Sequence, residues 1–262
     1  MSTSFALKRC LLLLAAVAAL MLPGPGRAGE VKVAVAANFT QAAQDIGALF
    51  EEKTGHKVVF SFGSTGQIYT QIAKGAPFEV FLAADRKHPL KAGADGLALA
   101  ETRFTYATGK IVLYSRDADL VQGPSTLKRA TFSRIAIANP VTAPYGAAAI
   151  TAMKALGVYD ALKPKIVQGN NIAQTHQFVE SGNAELGFIA LSQVAGHDKG
   201  SRWPVPEDLY PAIAQDAVLL NSGKDNPAAR AFLSFLGGDA ANRVKARFGY
   251  GLGEPAKIRP DA

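Results

Sequence analysis

The sequence predicts an α/β protein of two lobes, each a mostly parallel sheet flanked by helices, with a cleft between them. Three observations predict it. Short apolar strands alternate with amphipathic helices along the chain, the pattern of parallel units joined by right-handed crossovers. A long extended run, Phe104 to Ser115 (FTYATGKIVLYS), carries a central Thr108-Gly109 that suits a crossing between lobes. A second extended run between Tyr210 and Leu220 is placed to return the chain, so the first lobe uses both chain ends. The division expected is residues 29–108 and 219–262 for the first lobe and 109–218 for the second.

The N-terminus stands apart from this fold. Lys8 and Arg9 precede an uninterrupted apolar run, Leu11 to Leu22, and Gly26-Arg27-Ala28 ends in small residues. This is the pattern of a secretory signal peptide over residues 1–28, cleaved after Ala28. The run is too short to span a bilayer comfortably. Cys10, the only cysteine, precedes it, so it is not placed as a lipoprotein cysteine. The processed chain therefore lacks any disulfide, thiolate metal site or cysteine nucleophile, and the periplasm is the expected location. Net charge falls from +7 to +4 once Lys8, Arg9 and Arg27 leave. The remaining basic residues are scattered, with no aromatic-interleaved stripe, which argues against a nucleic-acid partner. The 262 residues are 48% hydrophobic, ample for a packed core, and nothing in them calls for an oligomer.

The elements follow from local pattern. Val31 to Ala37 is small and β-branched enough to be buried on both faces. A helix from about Gln41 places Ala42, Ile46, Leu49 and Phe50 on one face and ends at Gly55. Lys57 to Ser61 is a strand, Gly63-Ser64-Thr65-Gly66 a break, and QIYTQIAK a helix. Glu79 to Ala84 is a third strand. In the second lobe, Arg134–Ala138, Lys165–Gln168 and Leu186–Ala190 read as strands, with helices after the first two. The last helices lie around Pro227–Leu236 and Asp239–Phe248.

Four strand ends share one chemistry: Ala37-Asn38-Phe39-Thr40, Gly63-Ser64-Thr65-Gly66, Ala143-Pro144-Tyr145-Gly146 and Gly169-Asn170-Asn171-Ile172. Each follows an apolar strand and opens a helix, where free N–H groups and the macrodipole suit an anion. In open α/β sheets ligands sit outside these carboxyl ends. No Lys or Arg lies in residues 36–50, 61–73, 139–150 or 169–180, and the junctions contain no Asp or Glu. Hydrogen phosphate would want an acceptor for its proton, whereas a fully ionised tetrahedral dianion needs only donors. The pattern favours sulfate, molybdate or tungstate over phosphate, and over Fe(III). The competing reading is four ordinary helix caps.

Other candidates are weaker. His56, His88, His176 and His197 show no paired spacing. Gly63-Ser64-Thr65-Gly66 is neither a nucleophile elbow nor a Walker A loop, which leaves an exported hydrolase using Ser64 without a base at motif spacing. Asp85 reads as a helix cap. Tyr145 is open between turn packing and donation into the cleft.

The chain resembles the periplasmic molybdate-binding proteins of ABC importers, the ModA family. The marks are VAVAANF near Ala37, the span Val58–Asp85, FTYATGKIVLYS, IANPVTAPYGAAA from Ile137, and AELGFIALSQV from Ala184. The resemblance implies a type II periplasmic binding fold whose lobes close on molybdate or tungstate. The ion is held through its oxygens by neutral donors, with no direct protein–metal bond and no cofactor. It implies no enzymatic activity and a membrane permease as partner. Carried over, the donors fall at Asn38 with the Ala37 amide, at Thr65 with Ser64 beside it, at Tyr145, and at the backbone amide of Ile172. Some relatives take a tyrosine from the strand where this chain has Ala190, so this chain resembles the branch that takes it from the Ala143–Gly146 loop. A receptor for sulfate or another tetrahedral oxyanion is the alternative.

Overall fold

A computed structural model describes residues 28–196, 199–254 and 256. The signal segment through Arg27, Cys10 and His197 lie outside the described residues.

The chain runs β1 (Glu30–Ala36), α1 (Thr40–Thr54), β2 (Lys57–Gly63), α2 (Thr65–Ala73), β3 (Val80–Leu82), α3 (Lys87–Ala94) and β4 (Phe104–Gly109). It continues with β5 (Ile111–Ser115), α4 (Ser125–Arg129), β6 (Ile135–Ala138), α5 (Pro144–Ala155), α6 (Tyr159–Leu162), β7 (Ile166–Gly169), α7 (Ile172–Glu180) and β8 (Leu186–Ala190). β9 (Ser201–Pro204), β10 (Ile213–Leu219), α8 (Pro227–Leu236), α9 (Asp239–Arg247) and β11 (Gly251–Leu252) complete it. The strands form two sheets, ordered β11-β4-β10-β3-β1-β2 and β7-β6-β8-β5-β9.

The long run from Phe104 breaks at Lys110, β4 going to the first sheet and β5 to the second. Two expectations need correction. Each sheet is mixed rather than mostly parallel: β1 pairs parallel with β2 and β3, but β10 runs antiparallel to β3 and β4. In the second sheet β6 is parallel to β7 and β8, while β5 is antiparallel to β8 and β9. The chain must cross between lobes and come back, and the crossing strands enter against the parallel set. The return also comes earlier than the 218/219 boundary, because β10 lies in the first sheet from Ile213 onward.

Register is what positions the four junctions. In the first sheet Ala36 is level with Gly63, so the ends of β1 and β2 open side by side. In the second, Ala138 is level with Gly169, which does the same for β6 and β7. The helices are anchored by apolar faces: α1 buries Ala42, Ala43, Ile46 and Phe50, and Phe50 packs edge-on against Phe232 of α8. Gly55 ends α1 in the left-handed region at φ 74°, its N–H donating to the Glu51 carbonyl.

Lys245 of α9 is 1% exposed, with Nζ donating to the carbonyls of Tyr106 and Leu236 at 2.9 Å each. Burial pushes its pKa down from 10.5 to about 8. Between those values the unfolded chain keeps a proton that the folded chain has released, so stability rises with pH across the window. The full window corresponds to a gain on the order of 3 kcal/mol. The melting temperature of the wild type is expected to rise between pH 7.5 and 9.5. A Lys245→Met variant should be flat over the same range.

Candidate functional site

All four junctions meet in one small cavity between the sheets. Ala36, Ala37 and Asn38 line it from the end of β1 and just beyond, Gly63, Ser64 and Thr65 from the junction of β2 with α2, Ala143, Pro144 and Tyr145 from the start of α5, and Asn171 and Ile172 from the start of α7. Ala84, just beyond β3, adds a wall that the sequence reading passed over. The six residues expected from sequence, Ala37, Asn38, Ser64, Thr65, Tyr145 and Ile172, are thus brought together. About 10 Å³ of solvent-accessible space remains inside, about what a single water molecule occupies. That is far too little for a sugar or a peptide. The lining carries no charged side chain.

The lobes are in contact around this cavity. The Gly66 N–H donates to the Thr142 carbonyl at 2.9 Å, and Ser192 Oγ donates to the Asn38 carbonyl at 2.9 Å. A wider cavity of about 390 Å³ adjoins it, sharing Ala84, Ala143 and Pro144. Asp85, on that wider wall, accepts from the His88 N–H at 2.9 Å, the capping role expected of it.

Ser64 and Thr65 have different tasks. Ser64 sits at the N-cap of α2 with extended backbone, yet its side chain makes no capping bond. Its Oγ is buried without a hydrogen-bond partner. Orphaned buried hydroxyls are uncommon and call for a partner, and Ser64 lines the cavity where one could sit. Among the described residues lining the cavity there is no His, Lys, Asp or Glu beside Ser64. Thr65 Oγ1 instead accepts from the Ala84 N–H at 2.9 Å, tying α2 to the end of β3. The emphasis on Thr65 over Ser64 therefore shifts: Ser64 holds the free hydroxyl.

Backbone donors complete the set. Thr65, Tyr145 and Ile172 lie in the first turns of α2, α5 and α7, where N–H groups have no acceptor one turn back. Asn171 caps α7 by accepting from the N–H groups of Ala173 and Gln174, both at 3.0 Å, which leaves the Ile172 N–H uncommitted.

Tyr145 is 2% exposed and anchored from behind. Its hydroxyl oxygen accepts from Asn38 Nδ2 at 3.3 Å and from Gln215 Nε2 at 3.2 Å. Burial, and then the neighbouring tyrosines Tyr250, Tyr106 and Tyr210, hold its pKa well above the ordinary phenol value, so it stays a neutral donor. The two Asn38 Nδ2 protons also face the nearer acceptors Gln215 Oε1 at 2.8 Å and Tyr250 Oη at 3.1 Å. The amide nitrogen is committed to this network, so what Asn38 has left for the cavity is its backbone. Gln215, Tyr106 and Tyr250 were not singled out from sequence. The available signal was Gln215-Asp216, a polar pair inside the apolar run from Ile213 to Leu220.

A family model for bacterial extracellular solute-binding proteins matches residues 31–251. The molybdate-binding protein ModA of Azotobacter vinelandii is 54% identical over 95% of this chain and 99% of its own length. That of Rhodobacter capsulatus is 52% identical over 86% of this chain and 90% of its own. The chain belongs to the ModA family. Among solved structures, the periplasmic molybdate-binding protein of Azotobacter vinelandii superposes with a TM-score of 0.82 at 40% identity, covering 85% of this chain and 99% of that one. The resemblance drawn from VAVAANF, GSTG and APYG is thereby borne out at the level of the family. Within the ModA fold described here, Ala190 is buried in β8 outside the cavity lining, and Tyr145 lines the cavity from the first turn of α5.

Proposed function

We propose that this ModA-family chain captures molybdate in the periplasm and delivers it to the permease of an ABC importer, with tungstate as a second ligand. The carrying observation is the small, uncharged cavity lined by Ser64, whose buried hydroxyl has no hydrogen-bond partner. The donors are the hydroxyls of Ser64 and Tyr145 and the backbone N–H groups of Ala37, Asn38, Thr65 and Ile172, with the Thr65 hydroxyl proton in reserve. Three helix N-termini add partial positive charge without a counter-ion. A dianion that needs only donors is satisfied here, whereas hydrogen phosphate would bring a proton with no carboxylate to take it.

Export follows the N-terminal signal with cleavage after Ala28, and the processed chain acts as a monomer. Molybdate would favour the closed arrangement because its donors come from both lobes, and closure would create the surface the permease reads.

Selectivity against sulfate comes from size. Molybdate and tungstate have longer bonds to oxygen, and a rigid cage spaced for them leaves sulfate short of some donors. Each unmade bond costs about 1–3 kcal/mol, so two of them separate the ions by at least roughly thirtyfold and three by at least roughly a hundredfold. Calorimetric titration of the processed protein with molybdate, tungstate and sulfate tests this. Tight molybdate and tungstate binding with sulfate at least about thirtyfold weaker is expected. Comparable sulfate affinity would overturn the assignment.

A further inference from the structure

Gln215 and Asp216 are both fully buried on β10, at a register shift in its pairing with β4. Asp216 has an evident structural role, since it accepts from Arg103 and from Thr105 Oγ1. Gln215 faces the other way, into the donors behind the cavity. Its Oε1 accepts from Asn38 Nδ2 at 2.8 Å and from Tyr106 Oη at 3.1 Å, while its Nε2 donates to Tyr145 Oη at 3.2 Å.

The consequence lies in the Tyr145 proton. A phenol oxygen has one proton to give and lone pairs that accept. On Tyr145 the accepting side is met by Gln215 Nε2, with Asn38 Nδ2 at 3.3 Å sharing its two protons with nearer acceptors. The O–H is left one direction with an acceptor to find, the cavity. The opposite sense of the Gln215 amide is disfavoured, because its oxygen already serves Asn38 and Tyr106. We propose that Gln215 is a positioning residue that sets the direction of the Tyr145 hydroxyl, holding it as a donor toward the bound oxyanion. This rests on the molybdate reading and adds to it the residue that fixes one donor's polarity from β10, outside the cavity lining.

Glutamate in place of Gln215 keeps the shape and reverses the sense. Once ionised, the carboxylate accepts the Tyr145 proton, turns the O–H away from the cavity and places a negative charge behind it. Burial raises the pKa of such a carboxyl, so the reversal is switched by pH near neutrality. A residue that merely packs has no reason to show that switch.

The test is calorimetric titration with sodium molybdate from pH 5.5 to 8.5 on wild type, Gln215→Glu, Gln215→Met, Tyr145→Phe and the Gln215→Met/Tyr145→Phe double variant. Melting of each ligand-free protein is followed alongside. Wild-type affinity is expected to be flat. Gln215→Glu should lose at least about tenfold at pH 8.5 and recover as the pH falls. Gln215→Met should lose affinity at every pH, but no more than about twofold further when Tyr145→Phe is already present. Wild-type affinity for Gln215→Glu throughout, a loss independent of pH, or fully additive losses in the double variant would each overturn the proposal. Should Gln215→Glu fail to fold, the Met and Phe cycle decides alone. If wild type itself does not bind molybdate, the functional reading falls too, whereas wild-type binding with indifferent Gln215 variants removes only this inference.

Discussion

Alanine at Gly109 is expected to cost at least about a hundredfold in molybdate affinity. Gly109 ends β4, paired level with Ile213 of β10. A Cβ there would lie 2.0 Å from Tyr145 Oη and 2.6 Å from Gln215 Nε2. Neither side chain has room to give. The Tyr145 ring is 2% exposed, its Cζ would itself be 2.9 Å from the new carbon, and Gln215 is fully buried. The backbone is held by the ladder, so the phenol must move, and with it goes a donor that the cavity needs at a fixed place. Overpacking alone destabilises by about 1–3 kcal/mol. Ligand-free Gly109→Ala should therefore remain folded with a lower melting temperature, while calorimetry records the much larger loss of binding. Affinity within about threefold of wild type would show that Tyr145 is not where binding needs it.

That glycine illustrates what the sequence held and what it withheld. Thr108-Gly109 marks the crossing in FTYATGKIVLYS, and the break at Lys110 bears it out. The reason glycine is required lies in Tyr145 and Gln215, which only the folded chain brings beside it. The four junctions were legible because each is local: an apolar strand, a turn of small residues, a helix start. Their convergence needed the register of Ala36 with Gly63 and of Ala138 with Gly169, which no local pattern encodes. The antiparallel parts were harder still. β11 has two residues, and β9 is a short segment ending in Pro204, so neither has enough alternation to read as a strand. Gln215 was hidden for the same reason as the network it holds together, since its partners Asn38 and Tyr145 lie 177 and 70 residues away. Ser64 and Thr65 are indistinguishable as neighbouring hydroxyls in a cap. Only the folded backbone decides which of the two is left without a partner.

That distinction makes the second large prediction, a crossed pattern between Ser64→Ala and Thr65→Ala. Ser64 Oγ is buried without a partner in the ligand-free chain, so removing it takes away an unsatisfied polar atom. The ligand-free melting temperature of Ser64→Ala should be unchanged or slightly higher. Its molybdate affinity should fall by about tenfold or more, the worth of one hydrogen bond to a charged group, about 1.5–3 kcal/mol. Thr65 behaves in the opposite sense. Its Oγ1 is the acceptor for the buried Ala84 N–H, and Thr65→Ala strands that donor at a cost of about 1–3 kcal/mol before any ligand is present. Thr65→Ala should melt several degrees lower when ligand-free. Its further loss of molybdate affinity should be smaller than that of Ser64→Ala, because the Thr65 N–H at the start of α2 survives the change. Thermal melts with and without molybdate at a fixed multiple of the wild-type Kd separate the two quantities, since bound ligand adds RT ln(1 + [L]/Kd) to stability. If Ser64→Ala lowers ligand-free stability and Thr65→Ala does not, the two hydroxyls have been assigned the wrong way round. If both leave the molybdate-induced shift intact, the Gly63–Gly66 junction is a helix cap and nothing more.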